Sequence, residues 1–151
     1  MDALYISNLN KTYPGFQLKN VSLSLPKGYI LGFVGENGAG KTTTINSILN
    51  ITKRDSGIVK IFGKDIDEHE NDIKKDIGYI SGDVFYPKKQ IKEVTKIYKR
   101  FYDTWDDEVY KEYLEIFKLD ESKMLDQLSK GMYIKYVLTL ALSHHASLLI
   151  L

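Results

Sequence analysis

The segment that most constrains this chain is Gly35-Glu36-Asn37-Gly38-Ala39-Gly40-Lys41-Thr42. It meets the pattern G-x-x-x-x-G-K-[ST] at every fixed position. Before it runs Tyr29-Ile30-Leu31-Gly32-Phe33-Val34, a continuous apolar stretch expected to form a buried central strand. After it, a helix is expected over 41–50. Glycines let successive backbone N–H groups turn toward one anion. The start of the helix adds the positive end of its dipole. Lys41 is then placed to reach the β- and γ-phosphates of a nucleoside triphosphate, and the Thr42 hydroxyl to coordinate Mg²⁺. A plain glycine turn joining strand to helix would not require the Lys-Thr pair.

Length and composition narrow the remaining classes. A chain of 151 residues is one domain, or part of a larger one. Lys and Arg number 21 against 20 Asp and Glu, a net charge of +1, which gives no bulk attraction to nucleic acid. Cys is absent, which excludes disulfides, thiolate metal sites and Cys nucleophiles. No apolar run approaches the ~20 residues of a membrane-spanning helix. Met1-Asp2-Ala3-Leu4-Tyr5 lacks the basic start and apolar stretch of a secretory signal, so the expected location is the cytosol.

Elsewhere the chain divides in character. Leu4-Tyr5-Ile6, the alternating stretch 18–25 and Ile58-Val59-Lys60-Ile61-Phe62 read as strands. The charged stretch 64–76 reads as a solvated face, and Ile77-Gly78-Tyr79-Ile80 as a second buried strand. Ile91, Val94, Tyr98 and Phe101 recur at helical spacing. Thr104, three residues before Asp107, is expected to cap a helix bearing Val109, Tyr113, Ile116 and Phe117. Ser129 is expected to cap a last helix running to about His145, ahead of the apolar strand Leu148-Leu149-Ile150-Leu151.

Three segments in this order, Lys11-Thr12-Tyr13, the loop continued through Thr43, and Leu128-Ser129-Lys130-Gly131-Met132 ahead of strand 148–151, resemble the ATP-binding subunit of ABC transporters. The resemblance runs over the whole chain. It implies an α/β fold of the P-loop NTPase type, with an N-terminal antiparallel β portion and an inserted helical subdomain. Residues 1–81 and 146–151 would form the β and core portion, and 82–145 the helical subdomain. It implies ATP and Mg²⁺ as ligands, with Gly35, Asn37, Gly38, Ala39, Gly40, Lys41, Thr42 and Thr43 on the phosphates, Thr42 on the metal, and Tyr13 stacked on adenine. Ser129, Lys130 and Gly131 would reach the γ-phosphate of ATP held by a second ATP-binding subunit, in a head-to-tail dimer. A transmembrane subunit would be the other partner, placing the protein on the inner face of the membrane.

Departures from the family pattern carry their own expectations. Lys130 stands where the family has Gly. Gly82 stands where the family has a Mg²⁺-contacting Gln, with Asp83 as a substitute oxygen or a turn residue. The family's Asp, which helps hold Mg²⁺ through water, its Glu, which polarises the attacking water, and a later His that contacts the γ-phosphate would follow Leu151, so no catalytic residue is assigned here. The expectation is a C-terminally shortened ATP hydrolase, closest to bacterial exporter subunits, that binds ATP and turns it over poorly. Strand 148–151 would then have an unpaired edge. A catalytically silent nucleotide-binding module, and a soluble ABC-type ATPase acting on ribosomes or DNA, are the alternatives. His144 and His145 cannot share a helix face as a metal pair. Tyr98, Phe101, Tyr102, Trp105, Tyr110 and Tyr113, interleaved with Asp106, Asp107 and Glu108, read as helical packing or a groove for a membrane subunit's helix rather than a nucleic-acid surface.

Overall fold

The structure, a computed structural model, describes residues 1–81 and 87–151. Gly82 and Asp83 lie outside the described residues. The chain separates into two compact units, Met1–Lys74 and Lys75–Leu151.

In the first unit β1 (Asp2–Tyr13) and β2 (Phe16–Pro26) form an antiparallel hairpin. β3 (Ser56–Ile61) pairs with the other edge of β1 and turns into β4 (Lys64–Asp65), giving the order β2-β1-β3-β4. Leu4 and Ile6 of β1 point into the core, and the period of two would next bury Asn8. Instead Asn8 takes a left-handed backbone (φ 50°), the register shifts between Ile6 and Leu9, and Leu9 is buried. Gly57 faces this bulge. A Cβ there would stand 2.5 Å from the Asn8 carbonyl oxygen, so only glycine fits. Val59 and Ile61 complete the inner face.

The helix α1 (Lys41–Ile48) stops two residues before the expected end and buries Thr44, Ser47 and Ile48. The stretch 64–76 is more than a solvated face: it contains β4 and α2 (Glu70–Lys75), and it buries Ile66 and Ile73. Residues 29–34 depart most from expectation. They form no strand, and Ile30 and Val34 are 100% and 94% exposed. A central strand requires hydrogen-bonded neighbours, and among the described residues none of the paired strands takes this segment as partner.

The second unit holds β5 (Ile77–Tyr79) parallel to β6 (Leu148–Ile150). Gly78 lets the strands and α5 (Lys130–Ser143) approach, since a Cβ there would lie 2.6 Å from Ala141 Cβ and from Leu149 Cδ2. Leu149 on β6 remains partly exposed. Between the strands come α3 (Ile91–Tyr98), α4 (Asp107–Phe117) and α5. α3 ends in a 3₁₀ turn at Lys99–Phe101, and Phe101, expected inward, is exposed.

Asp106, not Thr104, caps α4: its Oδ1 accepts the N–H groups of Glu108 at 2.9 Å and Val109 at 3.1 Å. Thr104 Oγ1 instead donates to the His144 carbonyl at 2.8 Å. The buried face of α4 is also rotated from the expected one. Tyr110 and Leu114 are inside while Ile116 is exposed. The cause is polar: the Tyr110 hydroxyl lies 3.0 Å from Thr95 Oγ1 and donates to Glu121 Oε1 at 3.1 Å. Tyr136 of α5 also reaches Thr95 Oγ1, at 3.0 Å. Ile91, Leu119, Leu125, Leu128 and Leu140 close the core around these hydroxyls.

Candidate functional site

The site is built by the entrance to α1. Gly40 is its N-cap, with φ 99°, and it supplies no side-chain cap. The first-turn N–H groups are therefore open to a ligand. A Cβ on Gly40 would stand 2.8 Å from Phe16 Cζ and 3.0 Å from Leu18 Cδ1, so the hairpin packs directly on the loop. Gly38 (φ 86°) has nothing within 4 Å of a would-be Cβ, which leaves open space beside the backbone. Ala39 N–H donates to the Glu36 carbonyl at 3.1 Å, curling the loop. Thr44 anchors it from below, its Oγ1 donating to the Gly40 carbonyl at 2.9 Å while the side chain is buried.

Lys41 bends back over this curl. Its Nζ donates to the carbonyls of Gly35 at 2.6 Å and Glu36 at 2.8 Å. The ammonium is thus held at the mouth of the loop by two carbonyls, partners that a stronger anionic acceptor can replace. An open cleft of about 440 Å³ is lined by Phe16, Asn37, Gly38, Gly40, Lys41, Thr42 and Thr43. The structure brings together Asn37, Gly38, Gly40, Lys41, Thr42 and Thr43 of the expected phosphate set around one space. Among the described residues no group of three or more His, Asp or Glu could hold a metal ion by itself. Thr42 is exposed at the cleft, where a hydroxyl could share a cation with bound phosphates.

Tyr13 and Phe16 face each other across the two-residue turn Pro14-Gly15, where Gly15 has φ 78°. Directly opposed residues project from the same face of a hairpin, so both rings leave on one side. Phe16 was not singled out from sequence. The usable signal was its place as the mirror of Tyr13 across a Pro-Gly turn. Tyr13 is 40% exposed, available to a flat ligand.

In the second unit Ser129 is the N-cap of α5, its Oγ accepting the Met132 N–H at 3.2 Å. Lys130 and Gly131 are exposed, and nothing lies within 4 Å of a Cβ on Gly131. The first turn of α5 therefore presents backbone that another surface can approach closely. Leu128, just before it, is buried in the core and fixes where the helix begins. No described helix is long and apolar enough to cross a membrane.

These arrangements agree with what the chain is similar to. The family profile described as ABC transporter matches residues 18–151. The ABC transporter ATP-binding protein YtrB of Bacillus subtilis (strain 168) is 33% identical over 97% of this chain and 50% of its own length. The bacitracin transport ATP-binding protein BcrA of Bacillus licheniformis is 32% identical over 96% of this chain and 49% of its own. The chain thus spans about half the length of these curated relatives. A solved structure of the ATP binding subunit of an ABC transporter matches with a TM-score of 0.82 at 24% identity, over 94% of this chain and 62% of that one. With its glycine loop heading α1, its antiparallel sheet and its helical second unit, the chain belongs to the ABC transporter family of ATP-binding proteins and has the fold of their ATPase domain.

Proposed function

We propose that this chain is the nucleotide-holding part of an ABC transporter ATPase subunit and that it binds MgATP at the mouth of α1. The observation that carries this reading is the Lys41 ammonium, held by the Gly35 and Glu36 carbonyls over an open glycine loop. Triphosphate oxygens are better acceptors for that cation than two neutral carbonyls. They would also take up the N–H groups of the loop and of the first turn of α1. Thr42 would share Mg²⁺ with the phosphates, and the ion supplies charge neutralisation there. Tyr13, beside Phe16, would carry the adenine ring on its exposed face.

Ser129, Lys130 and Gly131 are the candidate contact to ATP held by a second subunit. The exposed start of α5, free of side-chain bulk at Gly131, supports that role. Coupling to a transmembrane partner at the inner face of the membrane, in an exporter-type system, is the wider function. The bacitracin transport protein, which aligns over nearly the whole chain, supports a role in transport.

The test is ATP binding by the full chain, with and without Mg²⁺, against Lys41→Ala. Affinity should fall at least about tenfold in the variant, the loss of one charge-assisted phosphate contact. Equal binding by the two proteins would refute the site.

A further inference from the structure

Beside the hairpin tip, one carboxylate makes two contacts that the nucleotide reading does not use. Asp55 lies between α1 and β3. Its Oδ2 accepts the backbone N–H of Thr12 at 2.7 Å, and its Oδ1 accepts from Lys11 Nζ at 3.2 Å. The Lys11 side chain is only 16% exposed, and its Nζ stands 5.2 Å from the centroid of the Tyr13 ring. Asp55 thus grips the backbone one residue before Tyr13 and also the cation that lies over Tyr13. The Lys11 hydrogen bond, followed by that of Thr12, holds the Asp55 carboxyl below its usual range, so it is ionised at neutral pH.

A surface ion pair by itself contributes little. Here the pair is coupled to a strand end and to an aromatic ring. Residues two apart on a strand share a face, which brings Lys11 alongside Tyr13. A cation attracted to one face of a ring restrains its tilt and leaves the other face for a flat partner.

We propose that Asp55 and Lys11 are positioning residues for Tyr13, holding its ring as the platform for the nucleobase without touching the phosphates themselves. This rests on the reading of Tyr13 given under Proposed function. Its signature is selectivity: loss of the tether weakens a ligand that carries a base and spares one that does not.

The experiment titrates the full chain with ATP and with inorganic triphosphate, each with Mg²⁺. The proteins are wild type, Tyr13→Ala, Lys11→Met, Asp55→Asn, and the Lys11→Met/Asp55→Asn pair. Asp55→Asn retains an oxygen for the Thr12 N–H, so the backbone staple survives while the charge is lost. Tyr13→Ala should weaken ATP about tenfold and leave triphosphate unchanged, as expected for a lost stacking contact. Lys11→Met and Asp55→Asn should each weaken ATP about threefold with triphosphate unchanged, and the pair should be no worse than either alone. If Tyr13→Ala affects both ligands equally or neither, the platform reading fails and the tether fails with it. If Tyr13→Ala behaves as expected while Asp55→Asn matches wild type, only the tether is overturned. A loss of triphosphate binding in Lys11→Met would make Lys11 a phosphate ligand and also overturn the proposal.

Discussion

In the second unit three buried hydroxyls close on one another. Thr95 Oγ1 meets the hydroxyls of Tyr110 and Tyr136 at 3.0 Å each, inside a shell of Leu and Ile. Burial pushes the Tyr136 hydroxyl up to about 12, and that of Tyr110 higher, so both remain protonated donors. In the first unit the notable polar groups are backbone atoms of an exposed loop, with Gly40 alone buried between 29 and 40. Lys41 satisfies two of its carbonyls, and the first-turn N–H groups point outward. The contrast teaches where each unit's specificity resides. Satisfied hydroxyls inside a low-dielectric core define one packing. Donors aimed at a cleft define what can bind there.

Tyr136→Ala should break the second unit most severely. It removes a buried ring and one of the two hydroxyl partners of Thr95, and should cost about 3–5 kcal/mol. Denaturation followed by the fluorescence of Trp105, the chain's single Trp, reads that unit directly. Tyr136→Phe keeps the ring and should cost only about 1 kcal/mol, which separates packing from hydrogen bonding. A Tyr136→Ala cost below that of Tyr136→Phe would contradict the closed-core account.

Gly40→Ala is the corresponding probe of the first unit. It places a Cβ at φ 99° and within 2.8 Å of the Phe16 ring. A stability loss of about 1–3 kcal/mol is expected. The accompanying loss of ATP affinity should exceed the change seen for any surface substitution outside the loop. Unchanged affinity would separate the loop's geometry from its binding.

The smallest effect sharpens the comparison through pH. His144 is buried at the end of α5 with its ring stacked on Tyr102 at 3.9 Å. Burial, which outweighs the nearby Lys75 carbonyl and Asp76 charge, lowers its pKa below the ordinary value of 6.5. The folded form therefore prefers the neutral ring, and the unfolded chain takes up the proton first as pH falls. Stability should decline below about pH 6.5, by at most about 1.4 kcal/mol per pH unit, until the folded pKa is reached. His144→Phe keeps the stack and should flatten this slope. Asp55 in the first unit has the same sign in a more acidic window: its lowered pKa gives stability that is present above its ordinary value near 3.8 and lost only as pH falls below it. A wild-type curve that is flat between pH 6.5 and 5 would argue against the His144 account.

Much of this was legible beforehand for local reasons. Gly-Lys-Thr at the head of α1 and Ser129 ahead of α5 are short-range patterns, and their hydrogen bonds close within a few residues. The hairpin was legible at its two apolar alternations. Its exact facing was not, because the left-handed Asn8 and the facing Gly57 shift the register by contacts between distant strands. The α4 cap was misplaced because Thr104 and Asp106 are both capping types. The choice was made by the His144 carbonyl, 40 residues away, which engages Thr104. The Phe16 contact with Gly40 joins residues 24 apart and has no local pattern.

By itself the sequence determined the family, the glycine loop with the helix it heads, and the capped start of α5, because these depend on residue types at fixed short spacings. The tertiary structure alone decided three things. It set which side of α4 is buried, through the hydroxyls that meet at Thr95. It brought Phe16 against the phosphate loop. It left the apolar residues 29–34 outside any strand, because apolar character favours burial but only a partner backbone makes a strand.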